Sequence, residues 1–248
     1  MQHAALTLAL GICLCGAAQA GELTVSAAIS LATAFKEIGA NFEQAEPQAK
    51  LTFNFAASGV LLQQIERGAP VDVFATADQE TMDRAAAGKL IMPGSRKSFA
   101  ANRLVLVVPA SNFGRVLSVT DLKQQFVKRI AIGAAASVPA GRYARDALLA
   151  AGAWDALQPK LIYAESVRQV LDYVARDEVD AGFVYLTDAQ AASNRVHVVG
   201  EVATKKPVEY PIAVVAASRS PQLAQTFIAY VLSPRGQTLL EKYRFGKP

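Results

Sequence analysis

Four short segments pair small or hydroxyl residues with the start of an amphipathic stripe, each directly after a β-rich run or a turn. Ser30 follows Ala27-Ala28-Ile29 and precedes the stripe Leu31, Ala34, Phe35, Ile38, Phe42. Ala57-Ser58-Gly59 stands before Leu61, Val138-Pro139-Ala140-Gly141 before Tyr143 and Ala147, and Glu165-Ser166-Val167 opens a stripe that ends near Arg176. The chemistry such segments offer is anion binding. The first N–H groups of a helix have no partner within it, and the helix dipole adds partial positive charge at that end. Two readings stand side by side at each segment. A serine before a helix is also a common N-cap, whose loss costs roughly 0.5–2 kcal/mol and implies no ligand. Spacing alone does not choose between them.

The elements that must position these segments alternate along the chain. Strands are expected at Leu23–Ala27, Leu51–Phe55, Val71–Phe74, Leu104–Val108, Ile130–Ile132, Gly182–Tyr185, Val196–Val199 and Ile212–Val215. Between them lie helical stripes: the one after Ser30, then Leu61, Leu62 and Ile65 stopping at Gly68, a helix from Asp78, one over about 140–151, and one carrying Val167, Val170, Leu171 and Val174. Ser220-Pro221 reads as a cap with proline at the first helical position, and Ser233-Pro234 interrupts that helix before a closing turn at Leu239–Tyr243. Alternation of this kind indicates an α/β fold with largely parallel sheets, which bind ligands at the carboxyl ends of their strands. There is no internal repeat or low-complexity linker. Extended stretches near Phe99–Leu104 and Pro207–Pro211 are candidate crossovers between two lobes.

The first twenty residues read as a cleavable secretory leader. They carry no Lys, Arg, Asp or Glu, run apolar from Ala4 to Cys15 and end in Ala18-Gln19-Ala20. A lipoprotein reading on Cys13 or Cys15 fits poorly, because Ile12 and Leu14 before them are bulky. Removing the leader takes both cysteines and His3, leaving His197 as the one histidine. That excludes a disulfide scaffold, a thiol nucleophile, an iron–sulfur cluster and a Cys/His zinc site. The net charge of +4 is modest and scattered, as at Lys36, Arg67, Lys123, Arg142 and Lys160, so nucleic acid is not a favoured partner. Asp72 and Asp78 read as a strand residue and a helix N-cap before they read as metal ligands. Arg142 and Arg168 fall in first helical turns and are expected at the surface or on a docking face; Trp154 is expected in packing.

Several blocks then add a resemblance. Leu23-Thr24-Val25-Ser26-Ala27-Ala28-Ile29-Ser30-Leu31, Phe55-Ala56-Ala57-Ser58, Gly68-Ala69-Pro70-Val71-Asp72-Val73-Phe74-Ala75-Thr76-Ala77-Asp78, Val138-Pro139-Ala140-Gly141-Arg142-Tyr143-Ala144, Gly152-Ala153-Trp154-Asp155, Glu165-Ser166-Val167-Arg168, Gly182-Phe183-Val184-Tyr185 and Val208-Glu209-Tyr210-Pro211-Ile212-Ala213-Val214-Val215 occur in that order. Together they resemble the signature blocks of the periplasmic molybdate-binding proteins of ABC transporters. The resemblance implies a two-lobed α/β receptor of the type II periplasmic binding class, with residues 21–101 and 209–248 in one lobe and 102–208 in the other after a signal peptide over 1–20. It implies a ligand set of Ser30, Ser58, Ala140, Val167 and Tyr185, with Ala140 and Val167 acting through backbone N–H. It further implies a periplasmic location, a monomer, a membrane permease as partner, molybdate or tungstate as ligand, and no cofactor. Two departures stand out: Arg244 where the family often has glycine, and Ile29 where it often has alanine.

A site built only of donors suits a fully deprotonated tetrahedral dianion. Phosphate near neutral pH usually keeps a proton and wants an acceptor, whereas molybdate, tungstate and sulfate do not. Sulfate would have to be rejected by size. Neutral donors suffice because charge-assisted hydrogen bonds are roughly twice as strong as neutral ones. A receptor for sulfate or another oxyanion is the alternative. A secreted α/β hydrolase would have to use His197 and lacks a G-x-S-x-G elbow. An iron receptor would want several tyrosines or a histidine converging on the cleft.

Overall fold

The computed structural model describes residues 21–112 and 114–248. The expected leader lies outside the described residues. Ten strands form two five-stranded sheets, one in each of two lobes. The first sheet holds β1 (Gly21–Ala28), β2 (Ala49–Ala56), β3 (Val73–Ala75), β4 (Lys97–Asn102) and β10 (Val208–Val214), in the order β2-β1-β3-β10-β4. The second holds β5 (Leu104–Pro109), β6 (Ile130–Gly133), β7 (Leu161–Ala164), β8 (Ala181–Tyr185) and β9 (Val196–Glu201), in the order β7-β6-β8-β5-β9.

Three strands of each sheet are parallel: β2, β1 and β3 in the first, β7, β6 and β8 in the second. The strands that arrive from the other lobe, β5 and β10, pair antiparallel on both sides. The cause is geometric. β5 starts one residue after β4, with only Arg103 between them, so it enters its sheet from the end where the lobes meet. The parallel strands run toward that same end, and their last residues feed the helix starts.

The helices are α1 (Ala32–Ala45), α2 (Ser58–Glu66), α3 (Gln79–Ala87), α4 (Pro139–Ala150), α5 (Trp154–Leu157), α6 (Val167–Ala175), α7 (Leu186–Ala191), α8 (Pro221–Leu232) and α9 (Pro234–Lys242). The first sheet is covered on both faces, as an α/β layer requires. On one side Phe35 and Phe42 of α1 meet Phe227 of α8 edge-on, with ring centroids 6.1 and 5.3 Å apart. On the other, Leu61, Leu62 and Ile65 of α2 and Met82 and Ala85 of α3 pack on Phe74 and Ala213. In the second lobe Val170, Leu171 and Val174 of α6 and Leu148 of α4 are buried.

Sequence reading missed β7, α5 and α7, and the stretches read as crossovers, Phe99–Leu104 and Pro207–Pro211, are mostly strand, since β4 runs to Asn102 and β10 starts at Val208. Only the end residues of β7 are buried, so it carries neither alternation nor a continuous apolar run. The closing turn is a full helix, α9, capped by Ser233, whose Oγ accepts from Gly236 N. Ser220 precedes Pro221 as expected but caps nothing; its hydroxyl donates to Glu22 O instead. Arg244 sits just past α9 with φ of +66°, and Phe245 N bonds back to Leu240 O. That is the left-handed C-terminal position where glycine is usual; Arg244 keeps the turn at a cost in backbone strain, and nothing in the structure explains why arginine stands there.

One close approach fixes where α4 begins. A Cβ on Gly141 would stand 1.9 Å from Gly133 O at the end of β6, so only glycine lets the helix start rest on the strand end. Gly141→Ala is expected to cost roughly 1–3 kcal/mol as overpacking, read from the urea unfolding midpoint. An unchanged midpoint would mean that the helix start shifts freely.

Candidate functional site

The five residues expected to share a ligand come together. Ser30, Ser58, Ala140, Val167 and Tyr185 all line one small cavity between the lobes, with Ala28, Ile29, Ala57, Ala77, Val138 and Pro139 among its other walls. About 10 Å³ of it is open to the centre of a water-sized sphere. Ser58 is fully buried, Tyr185 is 1% exposed and Ser30 6%. None of the lining side chains is a carboxylate, a lysine or an arginine.

The local structure separates the capping reading from the ligand reading at each segment. At α6 the cap is Ser166, whose Oγ accepts from Gln169 N at 3.2 Å, so this serine is occupied and the wall of the cavity is the next residue, Val167. At α2 the N-cap position is Ala57, without a side-chain cap, and Ser58 is already helical. Its Oγ instead accepts from Ala77 N at 3.1 Å. Ser30 lies in a short 3-10 turn over Ile29–Leu31, again with no capping bond, and its Oγ is 3.1 Å from Tyr210 Oη. At α4 Pro139 occupies the first turn and has no N–H, while Gly141 and Arg142 turn theirs to Val138 O. Ala140 therefore supplies the leading amide of that helix.

Each serine hydroxyl is held by one partner from elsewhere in the fold. Asn102 Nδ2 donates to Tyr210 Oη at 3.2 Å and to Thr187 Oγ1 at 2.9 Å. Tyr210 Oη and Ser30 Oγ share one hydrogen bond in which either hydroxyl can donate, so Ser30 has a hydrogen to offer the cavity when Tyr210 is the donor. At Ser58 the partner is Ala77 N, a donor, so the Ser58 hydrogen stays available. Tyr185 behaves differently, for its hydroxyl donates to Ala77 O at 3.3 Å across the lobes. Burial holds the Tyr185 and Tyr210 hydroxyls well above their usual pKa, so both stay protonated. Tyr210, Asn102 and Thr187 were not singled out from the sequence. Tyr210 does stand inside one of the resemblance blocks, but nothing in its spacing points it at Ser30, 180 residues away.

Other residues fall as follows. Asp78 caps α3 by accepting from Thr81 N. Asp72 is a structural acceptor for Thr24 N, Ser218 Oγ and Arg219 N. Arg142 overturns the surface expectation: it is 5% exposed and pairs with Asp78 at 2.6 Å. Arg168 is half-buried, 3.2 Å from Asp188 Oδ1. His197 is exposed on β9 and is absent from the cavity lining, and Trp154 packs partly buried against the core. Among the described residues no cluster of His, Cys, Asp and Glu is placed to hold a metal ion.

Comparison with known proteins decides the family. A model of the bacterial extracellular solute-binding proteins matches residues 23–246. The chain belongs to this family. It is 38% identical over 235 residues to the molybdate-binding protein ModA of Escherichia coli K12, a match covering 92% of this chain and 90% of that one. In three dimensions it resembles the periplasmic molybdate-binding protein of Azotobacter vinelandii, with a TM-score of 0.78, 23% identity, and coverage of 91% of this chain and 99% of that one. The sulfate-binding protein SubI of Mycobacterium tuberculosis scores 0.77 at 16% identity, covering 90% and 86%. At those identities the two structures speak for the fold alone, two α/β lobes. Membership makes the chain a solute-binding protein that works outside the cytoplasm, and no helix among the described residues is long and apolar enough to cross a membrane.

Asp188, in the first turn of α7, gives a pH test of this second lobe. It is 1% exposed, and neither of its oxygens makes a well-aligned hydrogen bond among the described residues. Burial raises its pKa to about 6, against the opposing pull of Arg168 and of the Tyr185 backbone. A carboxyl raised in the folded state binds more protons there than when unfolded. Stability therefore falls as pH rises from the unfolded value of 3.8 through about 6. Asp188→Asn is expected to raise the melting temperature at pH 7, with the gain vanishing below about pH 4. A gain independent of pH would contradict this assignment.

Proposed function

We propose that this chain is a non-enzymatic receptor that captures molybdate, and tungstate with it, between its lobes and hands it to the membrane permease of an ABC importer. The observation that carries the reading is the wiring of Ser30 and Ser58. Ala77 N donates to Ser58 Oγ and Tyr210 Oη shares a hydrogen bond with Ser30 Oγ, which leaves both hydroxyls able to donate into a cavity whose lining side chains include no carboxylate. The leading amide of Ala140 and that of Val167 add donors from the opposite lobe. Tyr185 is the fifth, its long bond to Ala77 O giving way to a charged acceptor. The identity with the Escherichia coli molybdate-binding protein supports molybdate as the anion.

In this reading the protein acts as a monomer in the periplasm, brought there by the leader over residues 1–20, and calls on no cofactor. Residues 21–101 with 209–248 form one lobe and 102–208 the other, and the ligand draws them together by hinge closure. No chemical step follows binding. Phosphate is rejected because its retained proton would face donors. Sulfate is rejected because its shorter bonds leave fixed donors at stretched distances. The sulfate receptor remains the competing reading, since the fold is shared with a sulfate-binding protein.

Calorimetric titration with molybdate, tungstate, sulfate and phosphate tests both readings. Sub-micromolar binding of molybdate and tungstate, with negligible heat from the other two, is the expected result. Equal affinity for sulfate would favour the competing reading. Ser30→Ala and Ser58→Ala should each weaken binding by roughly 1–3 kcal/mol, the cost of leaving a buried charged acceptor short of a donor, while both variants remain folded. Unchanged affinity in both would mean that the anion binds elsewhere.

A further inference from the structure

One buried ion pair between the lobes takes no part in lining the cavity. Arg142 on α4 and Asp78 at the start of α3 are 5% and 3% exposed. A guanidinium carries five N–H donors, and here every one has an acceptor. Nη1 donates to Ala135 O at 2.9 Å and reaches Ala136 O at 3.4 Å, which fastens the group to its own lobe. Nε and Nη2 donate to Asp78 Oδ2 at 3.0 and 2.6 Å, and Nη2 also to Thr81 Oγ1 at 2.7 Å, all in the other lobe. Glu80 Oε1, 3.7 Å from Nε, is the other carboxylate beside the group. The second Asp78 oxygen caps α3 through Thr81 N.

Burying two charges repays its desolvation cost only when geometry is good and the remaining donors and lone pairs are satisfied. Both conditions hold here. Separating the lobes would return both groups to water, so the bond exists only while the lobes are together. Its position ties it to the cavity from each side. Asp78 follows Ala77, whose N–H and carbonyl hold Ser58 and Tyr185. Arg142 lies two residues beyond Ala140, and the same loop meets the first lobe where Gly59 N donates to Ser137 O at 2.9 Å.

We propose that Arg142 and Asp78 are positioning residues that form an interlobe clasp, and that this clasp sets how long the lobes stay closed over the bound oxyanion. The inference rests on the receptor reading above. The clasp assembles as the lobes meet, after the anion has entered, so it acts on release and leaves capture unaffected. It also keeps its charge away from the cavity, because the arginine is neutralised by its partner.

Stopped-flow fluorescence of Trp154 in the full chain, with molybdate as the probe, separates the two rates. Arg142→Met should raise the dissociation rate by roughly tenfold or more, with the association rate constant within about twofold of the unaltered chain. Asp78→Asn keeps a good helix cap. The double variant Asp78→Asn/Arg142→Met should release more slowly than Arg142→Met alone, since no carboxylate is then buried without its cation. A merely structural arginine would lower the melting temperature and leave the dissociation rate where it was. An unchanged dissociation rate, or a loss confined to association, overturns the clasp. Should Arg142→Met fail to fold, Arg142→Lys keeps the charge with fewer donors, and release as slow as in the unaltered chain would overturn the clasp equally. If the unaltered chain binds molybdate, the receptor reading stands whatever the variants do. If it binds none of the four oxyanions, both fall.

Discussion

The parallel strands of both sheets end at the interface between the lobes, and each hands over there to a helix or a short helical turn. The cavity follows from that constraint. β1 leads to Ser30, β2 to Ser58, β6 to the loop before Ala140, β7 to Val167, and β8 ends on Tyr185. The chain crosses between the sheets at Arg103 and again between β9 and β10. Those crossings turn the carboxyl ends of two separate sheets toward one another. Helix starts that lie apart in sequence then face one small cavity.

Charge is handled by separation. The cavity is walled by hydroxyls, amides and small apolar side chains, while the nearby arginines are paired with carboxylates outside it: Arg142 with Asp78 and Glu80, Arg168 with Asp188. A lysine or arginine facing the ligand would have to be stripped of water each time the lobes met, and would attract any anion whatever its shape. In the proposed receptor, neutral donors held by Tyr210 and Ala77 would discriminate by geometry and protonation. Tyr210 has a second role, for its ring meets those of Tyr185 at 5.8 Å and Phe99 at 6.3 Å, so the network behind Ser30 is held by packing as well as by hydrogen bonds.

Local signals were legible where the cause is local. The stripe after Ser30, the Asp78 cap, the proline before Ala140 and the strand Leu104–Val108 all depend on neighbouring residues, and each appears in the structure. The signals failed where the partner is distant. Ser166 and Ser58 look alike in sequence, yet one caps its helix and the other does not. The difference is one position of register: Ser166 stands at the N-cap, whereas Ala57 takes that place at α2 and Ser58, already helical, turns its hydroxyl to Ala77 N. Arg142 read as a surface residue because nothing within its helix announces Asp78, 64 positions away. Arg244, unexpected beside the family's glycine, is a backbone matter: the left-handed turn past α9 is kept and the residue is strained into it.

The sequence by itself determined the alternation of elements, because hydrophobic period and caps are properties of contiguous chain; the five residues that meet at the cavity were named by the resemblance of its blocks to a known family. Tertiary structure decided what those residues can do. Only the packed fold brings Tyr210 to Ser30 and Ala77 N to Ser58, and buries Arg142 against Asp78. The reason is physical: the direction of a hydroxyl proton and the cost of a buried charge depend on partners supplied from elsewhere in the fold, and no pattern along the chain encodes them.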